Sequence, residues 1–386
     1  MKKVLIIGGG FGGCSSAHLF SELDNWEVTL VEKNNFLGAG VRTYFHCGHP
    51  YTFGPRHFLT QNKKVYDFLD KYCPLRNCNE HEFITFVEQD SEFYNYPINM
   101  DDIKTMPDYA KINKQLKDCQ SSIIKDPKNL EEFWIASVGN ILYEKYVKEY
   151  NKKMWLVDTN KKIDTFSWSP KGVALKEGSR AAWHTALSAY PVDINGYNSY
   201  FDIATKKTNV LLNTTIKEYN LEKKTFLING DLKKFDVVIN SISIDNLFNF
   251  DLGKLQYIGR DILRVILPTE FCFPKDVYFV YYAGSDPFTR IVEYKKLTKY
   301  KSKHTLIGIE TPSNNGQHYP LPFKSAISLA HKYFAKLPSD YYSIGRIGSY
   351  QYTVDIDDCI EQSMRIVEAI QNNKSLSYPV PECGGL

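Results

Sequence analysis

The sequence predicts an α/β fold in more than one unit, on three observations. An apolar run ends in a glycine turn, a helix and a second apolar run over residues 3–33, "KVLIIGGGFGGCSSAHLFSELDNWEVTLVEK". A block from 100 to 155 is amphipathic and helical in pattern. Most of the chain beyond Trp155 breaks into short β-branched and aromatic runs bounded by Gly, Pro, Asn and Asp. At 386 residues the chain is also too long for one compact core.

The first run, Val4 to Ile7, is continuously apolar, as suits a buried parallel strand, and the following helix carries Ala17, Leu19, Phe20 and Leu23. Val65, Phe68, Leu69 and Tyr72 fall at i, i+3, i+4 and i+7, which predicts a helix over 63–72. "EFITFVEQ" and "EFYNYPIN" read as strands and a proline turn. "DDIKTMPDYAKINKQLKDCQ" and "NLEEFWIASVGNILYEKYVKEYNKKMW" then read as two amphipathic helices. Strands follow at "KTFLING", "KFDVVINSISI", "DILRVILP", "DVYFVYYAG" and "HTLIGIE". "IDDCIEQSMRIVEAIQNN" closes the chain with Ile360, Met364, Val367 and Ile370 in helical register.

Composition excludes several function classes. The 47 basic and 44 acidic residues leave a formal charge of +3 with no long basic run, so nucleic-acid binding has no electrostatic footprint. The eight cysteines are scattered, which points to reduced thiols. The stretch "YFHCGHPYTFGPRHF" gathers His46, Cys47, His49 and His57, but without knuckle or helical spacing, so no metal site is expected. The apolar run at the N-terminus is too short for a signal or a membrane span, and nothing later reaches 18 apolar residues. The expectation is a cytoplasmic protein with no membrane partner.

Gly8, Gly10 and Gly13 form G-x-G-x-x-G, with Phe11 inside it, between a strand and a helix. Glu32, followed by Lys33, ends the second strand. Glycine lets the backbone approach a pyrophosphate at the helix N-terminus, and the acid accepts from an adenosine ribose. Gly38 and Thr43 in "GAGVRT" sit where many FAD-binding folds carry a paired-glycine motif, so FAD is favoured over NAD, with Ala39 replacing the second glycine. Asp355 and Asp357 are candidate caps of the last helix, whose N-terminus would favour an anionic reduced flavin.

Together these pieces resemble the UDP-galactopyranose mutase family. The resemblance runs through "FGPRHFLTQNKKVYDFL", "YNYPIN", the 129–155 block, "NGY", "FTRIVEY", "HYP" and "GRIGSYQYTVD". It implies an FAD-binding Rossmann-like domain (1–78, 205–250 and 335–386) and an inserted helical subdomain (100–155). A mainly antiparallel β-sheet substrate subdomain (79–99, 156–204 and 251–334) completes it, with a mobile lid at about 160–194.

The activity implied is interconversion of pyranose and furanose forms of a nucleotide-linked sugar, UDP-galactose or a relative, for surface polysaccharide. No protein group is the nucleophile: flavin N5 of reduced FAD attacks the anomeric carbon, forming a covalent adduct. An external reductant such as NAD(P)H and a homodimer are implied as well. Carried over residue by residue, Arg290 grips the diphosphate, and Tyr150, Trp155, Tyr197, Tyr319 and Tyr352 line the sugar-nucleotide pocket. Pro97 and Asn99 form a pocket-floor turn, while Arg346, Asp355 and Gly54 lie near the flavin.

The chain also departs from the family. Arg56 and Leu59 stand where "GPHIFHT" has histidines, and His57 sits one place along, so Arg56 and His57 become the supporting polar groups. Arg260 is displaced along "LQYIGRDI". The lid arginine is replaced by Arg180 or Lys171, with Trp183 or His184 meeting the sugar or base. A substrate other than UDP-galactose is one consequence. Two other readings remain: an FAD-dependent oxidoreductase of the amine-oxidase type, and a non-catalytic sugar-nucleotide-binding homologue.

Overall fold

The structure is a computed structural model, which describes residues 1–121, 127–165, 175–182 and 186–376. Five parallel strands make the first sheet, in the order Asn209–Leu211, Trp26–Val31, Lys2–Ile7, Val237–Asn240, Tyr341–Ser343. The strand Lys2–Ile7 feeds two cores, because successive side chains point to opposite faces. Val4 and Ile6 pack with Ala17 and Phe20 of the helix Phe11–Ser21 and Ile360 and Ile366 of the helix Ile356–Gln371. Leu5 and Ile7 pack with Ala326, Ala330 and Tyr333 of the helix Lys324–Phe334. Both faces are therefore covered, as a continuous apolar strand requires.

A seven-stranded sheet forms the second layer, in the order Tyr319–Pro320, Tyr257–Leu267, Thr305–Ser313, Arg290–Glu293, Val277–Tyr282, Glu82–Val87, Glu92–Asn95. Every pairing in it is antiparallel except that of Glu82–Val87 with Val277–Tyr282. The helices between Met100 and Trp155 build a third core that takes in Val87, Tyr94, Ile258 and Tyr319 from this sheet.

Several elements differ from the sequence expectation, each for a local reason. The long helix expected over 129–155 is three, Leu130–Val138, Asn140–Tyr146 and Lys148–Trp155. Gly139 breaks it at φ +83°, and a Cβ there would come within 2.7 Å of Gln115. Pro107 likewise separates Met100–Ile103 from Tyr109–Ser121. The helix Lys324–Phe334, grouped by sequence with the sheet unit, packs on the parallel sheet, as does Asn198–Ala204 on the glycine-turn helix. Asp355 alone of the two expected aspartates is the N-cap, in a reciprocal capping box with Asp358; Asp357 lies inside the first turn.

The cluster of His46, Cys47 and His49 resolves into a tight hairpin. His46 pairs directly with His49, and Cys47 and Gly48 turn the chain with φ of +47° and +80°. His49 is buried edge-on against Tyr300, 5.0 Å between ring centres.

Candidate active site

A cleft of about 1140 Å³ runs from the glycine turn to the edge of the seven-stranded sheet. At its outer end, Gly8, Gly10 and Phe11 line it together with Glu32 and Lys33. Gly13 admits no side chain: a Cβ would sit 1.9 Å from the Gly8 carbonyl oxygen, so the helix rests directly on the strand's exit. Gly10 faces open space, its nearest neighbour to a Cβ being Ala39 at 3.8 Å. The Glu32 carboxylate is fixed by the Gly9 N–H at 2.7 Å and by the Asn34 N–H at 2.8 Å. A glycine cradle at a helix N-terminus with an oriented acid beside it fits a dinucleotide cofactor.

Arginines crowd the inner end. Arg290 donates through Nε to Glu310 Oε2 at 2.7 Å and through Nη2 to Oε1 at 3.0 Å. Arg260 Nε reaches the same Oε1 at 3.2 Å. Burial would push the Glu310 carboxyl up, but Arg290 and Arg260 outweigh it and hold it below the usual range. Burial would likewise weaken the Arg290 charge, and Glu310 more than restores it.

Tyr319 sits among these charges, with the Arg260 and Arg346 guanidinium carbons 4.7 and 5.0 Å from its ring centre. Burial raises its phenol, yet Arg56, Arg290 and Arg346 together bring it below its ordinary value. Next to it, His318 is pushed down to about 4 by burial, Arg56 and Arg260. Its Nδ1 accepts the Arg260 backbone N–H at 3.2 Å, so the neutral ring keeps its proton on Nε2.

The expected residues divide between the cleft wall and the layer behind it. Arg56, His57, Arg290, Tyr319, Arg346, Tyr352 and Asp355 line the inner part. Arg346 donates from Nε to the Val354 carbonyl at 2.8 Å and pairs with Asp355. Gly54, at φ +82°, stands behind Arg290 and Glu310, where a Cβ would lie 2.8 Å from Arg290 Nη2.

Tyr150 backs Tyr281 edge-on at 5.6 Å, and Trp155 backs Tyr352 at 5.0 Å. Tyr197 is fully buried and donates to the Arg56 carbonyl at 2.9 Å. Arg260, 3% exposed, acts from behind Glu310 and Tyr319. Thr43 is clamped by the Asn198 side chain, which bonds its N–H and its carbonyl, and Gly38 closes against Phe201.

Pro97, Asn99 and Arg180 are not among the residues that line the cleft. Asn99, after Pro97, caps the helix Met100–Ile103 by accepting the Asp101 N–H at 2.8 Å. Arg180 forms an ion pair with Asp102 at 2.8 Å and does not line the cleft. Lys171, Trp183 and His184 fall outside the described residues.

Sequence reasoning missed Glu310, which lies within the alternating strand Thr305–Ser313, and missed His318, Phe279 and Tyr281 on the wall. The alternation in "HTLIGIE" ending on an acid was the one available signal for Glu310: an acid at a core-facing register needs a cation. Among the described residues, no group of three or more His, Cys, Asp or Glu could hold a metal, and no helix is long and apolar enough to cross a membrane.

Comparison with known proteins follows the same outline. A family model described as UDP-galactopyranose mutase matches residues 145–352, and one described as an NAD(P)-binding Rossmann-like domain matches residues 6–72. The chain is 26% identical to the dTDP-fucopyranose mutase of Escherichia coli, over 97% of this chain and all of that protein. It is 24% identical to the UDP-galactopyranose mutase of Mycoplasma pneumoniae, over 95% of each. Its fold superposes on reduced UDP-galactopyranose mutase with a TM-score of 0.81 at 16% identity, covering 98% of this chain and 97% of that one. A putrescine oxidase gives a TM-score of 0.59 at 13% identity, covering 96% and 99%, which is a likeness of fold alone.

Proposed function

The chain belongs to the UDP-galactopyranose mutase family, the flavin-dependent pyranose/furanose mutases, and from that premise we propose that it isomerises a nucleotide-linked hexose in the cleft described above. The observation that carries this reading is the Arg290–Glu310 pair: a buried carboxylate orients a guanidinium at the inner end of a cleft whose outer end fits FAD. Reduced FAD would supply the nucleophile toward the anomeric carbon. Gly8, Gly10 and Gly13 would take its pyrophosphate and Glu32 its ribose. Arg290 would hold the substrate diphosphate and stabilise it as it leaves, since a guanidinium stays charged and offers paired donors. Tyr319 and Tyr352 would close over the sugar nucleotide, backed by Arg260 and Trp155.

A 6-deoxyhexose is the substrate this proposal favours over galactose. Leu59 lines the cleft, and an apolar side chain there would match a methyl without leaving a hydroxyl unpaired. The name of the E. coli relative, a dTDP-fucopyranose mutase, agrees with this choice. A cytoplasmic location, an external reductant such as NAD(P)H, a homodimeric state and a role in surface polysaccharide complete the proposal. The test is a chromatographic assay of FAD-loaded, dithionite-reduced protein against dTDP- and UDP-linked hexoses in both ring forms. Ring interconversion of dTDP-fucose faster than of UDP-galactose is expected; FAD-loaded protein that converts no donor would sink the proposal.

A further inference from the structure

One guanidinium of the inner cleft makes no close ion pair among the described residues and feels Glu310 only at a distance. Arg260 and Arg290 share Glu310, and Arg346 has Asp355. Arg56 forms no ion pair among the described residues, although it is half-buried on the cleft wall. It is nonetheless held at both ends: its Nε donates to the Gly40 carbonyl at 3.0 Å, and its own carbonyl accepts from the Tyr197 hydroxyl at 2.9 Å.

The remaining donors of that guanidinium meet few acceptors. His318 has committed Nδ1 to the Arg260 N–H, so its Nε2 carries the proton and offers Arg56 no acceptor. Arg56 heads the influences that lower the Tyr319 phenol and follows burial in those that lower His318, so its charge is directed at the same pocket as that of Arg290. A half-buried guanidinium with one donor fixed on a carbonyl and no carboxylate in contact leaves paired N–H donors for an anionic ligand.

Resting on the reading of the chain as a sugar-nucleotide mutase, we propose that Arg56 is a second, fixed diphosphate-binding residue alongside Arg290. Its paired donors take phosphate oxygens that Arg290, tied to Glu310, leaves unbonded. The diphosphate is then held by two cations built into the rigid part of the fold, while Arg180 stays with Asp102.

The experiment uses the FAD-loaded full chain and its Arg56→Gln and Arg56→Lys variants, titrated with dTDP, UDP, the corresponding monophosphates and inorganic pyrophosphate. The flavin midpoint potential is recorded for each. Loss of a charge-assisted pair predicts that Arg56→Gln binds the diphosphates about tenfold or more weakly. Arg56→Lys should recover part of that loss, the monophosphates should be affected less, and the potential should stay in place. Unchanged diphosphate affinity would overturn the inference, as would a shifted potential with unchanged affinity, which would make the cofactor the anion served. A wild-type chain that binds neither nucleotide nor pyrophosphate would overturn the mutase reading beneath it as well.

Discussion

Glu310 is the single carboxylate shared by Arg290 and Arg260, bonded twice by the first and once by the second, and only 3% of its side chain is exposed. The strand Thr305–Ser313 places it between its neighbours Tyr257–Leu267 and Arg290–Glu293, so the three charges meet by register: Arg290 lies opposite Glu310 in the ladder. Replacing Glu310 by Gln leaves two buried guanidinium groups without their anion. Such a loss costs about 3–5 kcal/mol, so a large fall in the denaturation midpoint is expected. With Arg290 no longer oriented, turnover should fall about 100-fold even where the fold survives. A variant with wild-type turnover would show that the pair only braces the sheet.

Gly54 reports on the same pair from behind. Ala at this position must adopt a left-handed backbone, and its methyl would approach the Arg290 guanidinium within 2.8 Å. Gly54→Ala should weaken nucleotide-diphosphate binding by about tenfold, through a displaced Arg290, while FAD content stays near one per chain. Equal affinities by calorimetry would show that Arg290 moves aside without consequence.

His318 should leave a signature in the acid range. Its folded value is lowered from 6.5 to about 4, so the neutral ring is the native form. Because the unfolded chain takes up its proton first, this contribution to stability is complete above pH 6.5 and is lost as pH falls toward 4. Urea titrations at a series of pH values should show a shallower acid loss in His318→Gln than in wild type. Parallel curves would mean that the ring protonates freely in the fold.

Arg180 should matter little to the nucleotide. Its partner Asp102 is nearly buried, but the arginine itself is 45% exposed, so the pair contributes about 1 kcal/mol or less. Arg180→Ala is expected to lower the thermal midpoint slightly and to keep kcat/KM within about twofold of wild type. A loss of nucleotide affinity comparable to that of Arg290→Ala would place Arg180 in the site after all.

Much of this architecture was legible in the sequence because it depends on local pattern. The run Val4–Ile7 and the spaced glycines state their own structure, since a parallel strand and a tight turn each need those residue types in that order. Helix breaks were less legible: Gly139 stops one helix and begins the next within a pattern that stays amphipathic throughout. The inner end was legible only where a motif marked it. Arg290 came with its motif, but Glu310 and His318 gain their roles from neighbours 20 and 58 residues away, across strand pairings that periodicity does not specify. In the histidine-rich hairpin at 46–49, residue types that could suit a metal sit instead at a tight turn and a ring contact, and their irregular spacing argues against a ligand set.

The cleft has no partition between Glu32 at one end and Arg290 at the other. Whatever occupies the first half therefore becomes a wall of the second, and the protein inherits an order of assembly. A cofactor bound in the first half would be covered by a nucleotide bound in the second, so the cofactor is expected to bind first and leave last. Stripped protein should accordingly bind dTDP poorly until FAD is restored, and saturating dTDP should slow the loss of FAD on dilution.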